Sequence, residues 1–150
     1  MKGWLLDTNV ISELRKKNCH PAVKAWADRQ SPTSFYLSTI TMAEIRFGIE
    51  KAEDEAFRQE LNQWLDQVLR PWFRDRLLGV DEDVILQWRW LVEKGRKQNY
   101  TFSQPDLFIA AGTQCAFGIA VVHELCVVTR NVGDFEKSGV LVFNPFLFGQ

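Results

Sequence analysis

The sequence predicts an α/β domain in which a central, mostly parallel sheet of four to five strands is flanked by helices. Three observations predict it. Short continuous apolar runs, Trp4-Leu5-Leu6 and Leu125-Cys126-Val127-Val128, have the length and unbroken hydrophobicity of strands buried on both faces. Segments with helical spacing alternate with them along the chain, which is the order that gives crossover connections and a parallel sheet. The 150 residues are 46% hydrophobic and 25% charged, which fits one folded domain spanning 1–150 and excludes disorder.

Each element follows from local sequence. The first strand ends at Asp7, and Thr8 or Asn9 is placed to cap a helix carrying Val10, Ile11 and Leu14. Pro21 opens a second short helix with Val23 and Trp26 on one side. Residues 31–34 form a loop, and Phe35-Tyr36-Leu37-Ser38 is a strand by its aromatic content. Thr41 and Glu44 match a capping box, with the helix continuing through Ile45 and Ile49. From 54 to 69 the apolar positions Phe57, Leu61, Trp64, Leu65 and Val68 keep helical spacing, and Pro71 is expected to end that helix. Leu77 to Val80 is the third strand. Residues 81–97 form a helix with Ile85, Trp88, Leu91 and Val92 inward. After a loop at 99–103, Pro105 opens another helix through Ile109 and Ala110. The strand at 125–128, a turn holding Asp134 and Phe135, and a last strand at 140–143 complete the chain.

Charge and cysteine content narrow the function. Eighteen basic residues against nineteen acidic ones leave a net charge of −1, so the chain does not coat nucleic acid or membrane by bulk charge. Cys19, Cys115 and Cys126 show no CxxC spacing and read as free thiols of a reducing compartment. With two histidines besides, a tetrahedral zinc site is not expected. No signal peptide core or membrane span is visible, which predicts a cytoplasmic protein.

Three acids stand where α/β folds build sites. Asp7 follows the first strand, and Glu44 and Asp106 lie in the first turns of later helices. Carboxylates about 5 Å apart repel by roughly 3 kcal/mol at an effective dielectric near 20, so a cluster needs a proton, a base or a metal ion. Oxygen ligands alone suit Mg²⁺ or Mn²⁺, ions that bind phosphates and activate water. Each acid also has a local explanation. Glu44 would complete the box with Thr41, Asp106 would favour a helix dipole behind Ser103, and Asp7 would cap the first helix. Haloacid-dehalogenase-like phosphatases need Asp-x-Asp where this chain has Asp7-Thr8-Asn9. Response-regulator receivers need an acidic pair that is missing.

Five blocks in order carry a family resemblance. Leu5-Leu6-Asp7-Thr8-Asn9-Val10-Ile11-Ser12-Glu13, Ser38 to Gly48 around Glu44, Asp106-Leu107-Phe108-Ile109-Ala110-Ala111, Val128-Thr129-Arg130-Asn131-Val132-Gly133-Asp134-Phe135, and Asn144-Pro145-Phe146 span nearly the whole chain. They resemble PIN-domain ribonucleases, in particular the VapC/FitB branch. The resemblance implies a single PIN-like domain and a metal-dependent endoribonuclease, the toxin of a type II toxin–antitoxin pair. It implies catalysis by Asp7, Glu44 and Asp106 around Mg²⁺ or Mn²⁺, with attack by water leaving a 3′-hydroxyl and a 5′-phosphate. Supporting roles fall to Thr8, Asn9, Thr129, Arg130 and Asn131. The expected partners are RNA, a cognate antitoxin and a second copy in a homodimer or hetero-oligomer. Two departures stand out. Asn131 is neutral where the family often has a fourth acid, with Asp134 the nearest acid able to act there through a water. The stretch between Asp106 and Asn131 is also longer than the family's by about two helical turns. A PIN-like binding module without catalysis and a nuclease acting on DNA are the alternatives.

Among basic groups, Arg15-Lys16-Lys17, Arg70, Arg74 with Arg76, Arg96-Lys97 and Arg130 are candidate phosphate contacts or solvated faces, with Arg46 and Arg130 nearest the acids. Trp26, Trp64 and Trp88 fit apolar helix stripes, whereas Trp72 and Trp90 fall off them and are expected at the surface. An antitoxin groove between the helices at about 21–30 and 54–69 would use Trp26, Phe57, Leu61 and Trp64.

Overall fold

The computed structural model describes residues 1–97, 116–136 and 138–150. Asp106, Cys115, the loop at 99–103, the helix expected from Pro105 and the side chain of Asp134 lie outside the described residues.

Five strands form one sheet in the order β3-β2-β1-β4-β5, and every pair is parallel. They are β1 (Gly3–Leu6), β2 (Phe35–Ser38), β3 (Leu77–Leu78), β4 (Leu125–Val128) and β5 (Val142–Phe143). Between β1 and β2 run α1 (Thr8–Arg15), α2 (Pro21–Asp28) and a 3₁₀ turn at Pro32–Ser34. Between β2 and β3 run α3 (Thr39–Lys51), α4 (Glu55–Trp64) and α5 (Arg70–Trp72). The other layer holds α6 (Glu82–Lys97), a helix over 116–123 (α7) and the short α8 (Gly133–Glu136). A 3₁₀ turn, Pro145–Leu147, closes the chain. Among the described residues no helix is long and apolar enough to cross a membrane.

The central position of β1 explains its composition. It pairs on both sides, so Leu5 and Leu6 are buried in opposite layers. Gly3 opens the strand where a side chain has no room. A β-carbon there would lie 2.6 Å from the Ser34 carbonyl oxygen.

The larger core lies under α1 to α5 and is built around Trp26, which is 1% exposed. Trp4, Phe35 and Phe143 stand 5.4–5.6 Å from its ring centroid. The smaller core, with Val84, Ile119, Val127 and Phe135, fills the space under α6 and α7.

Several expectations are corrected. The sheet is fully parallel, but β3 and β5 are two residues each, shorter than the apolar runs that contain them. The helix ahead of Pro71 does not stop there. It widens into a π-helical segment, Leu65–Leu69, and continues through α5, which carries Pro71 in its first turn. Arg70 N–H reaches back to the Leu65 carbonyl, so the wider turn precedes the residue that has no N–H to give. The extra residue moves the buried position from Val68, 51% exposed, to Leu69, 1% exposed. In α6 the core residue is Val84, while Ile85 faces solvent and Trp88, Leu91 and Val92 are half-buried. Trp72 is not a surface contact. It packs edge-on to Phe35 and against Phe73, whereas Trp90 is exposed as expected.

Candidate active site

The site grows from the carboxyl edges of β1, β2 and β4. At the end of β1, Asp7 donates its N–H to the Val128 carbonyl at 3.0 Å, which holds it beside β4. Asp7, rather than Thr8 or Asn9, is the cap of α1, with its Oδ1 accepting from Thr8 N–H at 2.8 Å. The capping explanation of Asp7 is therefore correct and leaves its other oxygen for tertiary contacts.

That oxygen meets Thr129, the residue after β4, which is fully buried. The Thr129 hydroxyl donates to Asp7 Oδ2 at 2.8 Å and accepts from Asn9 Nδ2 at 3.1 Å and from Asn131 N–H at 3.0 Å. One donor and two acceptor positions are all a hydroxyl has, so this group is saturated. Asn9 also donates to Asp7 Oδ2 at 3.3 Å, and its own oxygen accepts from Arg130 N–H at 3.0 Å. Residues 120 or more positions apart are thus tied into one network.

Glu44 joins from α3, the helix that follows β2. The capping box with Thr41 does not form, because α3 starts earlier, at Thr39, and Ser38 caps it by accepting from Thr41 N–H at 3.0 Å. Glu44, freed from that role, accepts the Thr8 hydroxyl at 2.5 Å. Thr8 therefore bridges the two carboxylates, its N–H on Asp7 and its O–H on Glu44. Ser38 is the residue that sequence reasoning missed. A serine at the junction of a strand and a helix is the signal that would have found it.

The donor set tests the fit of a hard cation. Asp7 has one lone pair on Oδ1 left after its three bonds, and Glu44 Oε1 has no partner among the described residues. The free oxygens belong to carboxylates, one at the end of β1 and one on α3 after β2, and neither carboxylate has a bond to sulfur or imidazole among the described residues. That suits Mg²⁺ or Mn²⁺. Among the described residues Thr8 links two acids, and no group of three potential ligands is found.

The expected cations are turned elsewhere. Arg46 lies about 200° around α3 from Glu44 and sits 3.8 Å from Glu50. The Arg130 guanidinium stacks 4.4 Å from the Phe146 ring centroid. Arg76 is structural, donating to the Phe35 and Trp72 carbonyls at 2.8 and 2.6 Å. His20 is spent as the cap of α2. Burial pushes the Cys126 thiol up to about 11, and burial, then Glu13, raises Cys19, so neither offers a thiolate nucleophile. The groove expected between α2 and α4 is not built as the sequence suggested. Trp26 and Leu61 are buried in the core, and of the four residues only Phe57 is exposed.

Comparison with known proteins agrees with this architecture. The model of the PIN domain matches residues 4–114, a span that contains Asp7, Glu44 and Asp106. Plasmid stability protein StbB of Pseudomonas syringae pv. tomato is 37% identical over 142 residues, 95% of this chain and 97% of its own. VapC ribonuclease Y4jK of Sinorhizobium fredii and toxin FitB of Neisseria gonorrhoeae are each 34% identical over 142 residues, 95% of this chain and 96% and 97% of theirs. The crystal structure of FitAcB from Neisseria gonorrhoeae superposes with a TM-score of 0.85 at 32% identity, covering 97% of this chain and 99% of that one. With the parallel five-stranded sheet and the acids at its carboxyl edge, these matches establish that the chain belongs to the PIN-domain family.

Proposed function

We propose that this chain, as one domain of residues 1–150, is a divalent-metal-dependent endoribonuclease and the toxin of a toxin–antitoxin pair. The observation that carries the reading is the Asp7–Thr8–Glu44 bridge, with Asp7 further fixed by Thr129 and Asn9. Relatives named as a VapC ribonuclease and as toxin FitB support the reaction class and the toxin role, and a cognate antitoxin is the partner that role calls for. RNA as substrate and assembly as a homodimer or a toxin–antitoxin hetero-oligomer belong to the same proposal.

Asp7 and Glu44 would hold Mg²⁺ or Mn²⁺, with Asp106 as the third acid. When bound, the ion supplies charge neutralisation at the scissile phosphate and a more acidic attacking water. The chain's own residues do the positioning. Thr129 and Asn9 fix the plane of the Asp7 carboxylate, and Thr8 sets the separation of the two acids. Asn131 brings no charge to the fourth position. Its N–H is used on Thr129, so it orders the network through its backbone. Asp134 is the remaining acid nearest that position in sequence.

Incubating the purified protein with end-labelled RNA and Mn²⁺ or Mg²⁺ tests this. Cleavage should vanish with chelator and in Asp7→Asn. Asparagine keeps the cap on Thr8 N–H, but its amide nitrogen would face the Thr129 and Asn9 donors that now share Oδ2, so a melting curve accompanies the assay and shows whether the variant remains folded. Undiminished RNA cleavage by Asp7→Asn overturns the role of Asp7. Cleavage of single-stranded DNA in place of RNA selects the other substrate, and metal-independent RNA binding without cleavage selects a binding module.

A further inference from the structure

We infer that single-stranded RNA leaves the acidic site along the furrow that α1 makes with α3 and the start of α4, with bases stacking on Phe47 and Phe57 and phosphates meeting Lys51 and Arg15. The inference rests on the ribonuclease reading and adds the path of the strand. Both α1 and α3 start at the carboxyl edge of the sheet, where Thr8 and Glu44 tie them together, and both run away from it. On α3, Phe47, Gly48 and Lys51 follow Glu44 at three, four and seven residues, so they share its face. On α1, Arg15 follows Thr8 at seven. A rise of 1.5 Å per residue puts each cation about 10 Å along its helix from the acids.

The chemistry of this strip is particular. Phe47 is 62% exposed and Phe57 43% exposed, unusual for large rings. Each has a cation over it, with Lys51 Nζ 5.3 Å from the Phe47 centroid and the Arg15 guanidinium 5.7 Å from that of Phe57. Neither cation forms an ion pair among the described residues. Beside Phe47 on α3, a β-carbon added at Gly48 would meet nothing within 4 Å, so that face of the helix is open. A ring face beside an unpaired cation, repeated twice along helices that start at the proposed phosphodiester-cleaving site, is the pattern that binds a single strand without sequence preference. A docking protein helix would instead need a continuous apolar stripe, which the charges and the glycine interrupt.

The test is anisotropy of a fluorescein-labelled single-stranded RNA of about a dozen nucleotides, titrated with the full chain in chelator so that binding is read without cleavage. Phe47→Ala and Phe57→Ala should each weaken binding about tenfold, and Phe47→Trp should restore it. Lys51→Gln and Arg15→Gln should each reduce the slope of log affinity against log salt by about 0.7, a change that a structural role would not produce. Absence of RNA binding by the wild-type chain, or affinity unchanged in Phe47→Ala and Phe57→Ala, overturns the furrow. So does a pair of alanine variants that bind RNA normally but lose the cognate antitoxin, which would assign the strip to that protein. Failure of the nuclease reading shows separately, as wild-type RNA left intact when Mn²⁺ is restored.

Discussion

Thr129 shows how a single side chain can organise a site without carrying charge. Its hydroxyl is buried and fully bonded to Asp7, Asn9 and Asn131, so removing it takes a partner from three groups at once and leaves Asn131 N–H with none among the described residues. Thr129→Val keeps the shape and should cost about 1–3 kcal/mol for the unsatisfied groups, read from urea midpoints. Cleavage should fall about 10–100-fold, the usual effect of losing a group that orients a metal-binding carboxylate, while Thr129→Ser should restore most of both. A valine variant with wild-type cleavage would show that Asp7 needs no such support. At this scale the sequence pointed to two acids that the fold links through Thr8, and was poor about what holds them. Asp7 and Glu44 stand out because they follow apolar strands. Thr129 lies 122 positions from Asp7, and only strand pairing brings the two together. Glu44 illustrates a local signal defeated by its neighbour. Thr41-x-x-Glu44 has the letters of a capping box, but Ser38 already supplies the cap, and Glu44 turns to Thr8. Asp106 lies outside the described residues, so its place in the cluster rests on the Asp106→Asn counterpart of the Asp7 experiment.

The elements are held by features finer than hydrophobic spacing. The π-helical segment decides which residue of the 65–72 stretch is core. Leu69→Ala should cost about 2–5 kcal/mol and Val68→Ala less than about 0.5 kcal/mol, the reverse of what regular α-helical spacing from Phe57 predicts. Equal costs in denaturant titrations would mean a regular helix in solution. A periodicity argument cannot see this shift, because a π turn changes the period inside the window being counted. The link from α1 to α2 depends on charge. Glu13 accepts from Lys16 Nζ at 2.9 Å and from His20 N–H at 2.8 Å, and these, Lys16 first, hold its carboxyl below its usual range. A lowered folded-state value means that the stabilisation is complete above the unfolded value, near 4.3, and is lost as pH falls through the lower folded one. Glu13→Gln should therefore destabilise the chain at pH 7, by no more than about 1 kcal/mol given the solvent around Lys16, and match the wild type in strong acid. A pH-independent difference would place its origin in packing instead.

For the whole molecule, the alternation of apolar runs with amphipathic segments was enough to give the α/β class and the parallel sheet, because a strand-helix-strand connection leaves few other arrangements. Strand lengths and the tryptophans were less readable, since edge strands need few paired residues and a ring's burial depends on what crosses above it. Trp72 falls off every helical stripe, yet it is half-buried against Phe35 and Phe73. Trp26 binds the larger layer together, touching Trp4 of β1, Phe35 of β2 and Phe143 of β5 from its place on α2. The same three strands, with β4 between β1 and β5, frame the sheet edge from which Asp7, α3 with its Glu44, and Thr129 start. Trp26→Ala should therefore loosen the frame of the site as well as the core. The expected cost is about 3–5 kcal/mol, a large part of the 5–15 kcal/mol typical of a domain, and a fall in melting temperature of roughly 6–20 °C. Trp90→Ala, at an exposed position of α6, should stay within about 0.5 kcal/mol. Thermal unfolding of both variants by circular dichroism checks the contrast. A Trp26→Ala protein as stable as the wild type would mean that the aromatic cluster does not hold the sheet to its helices.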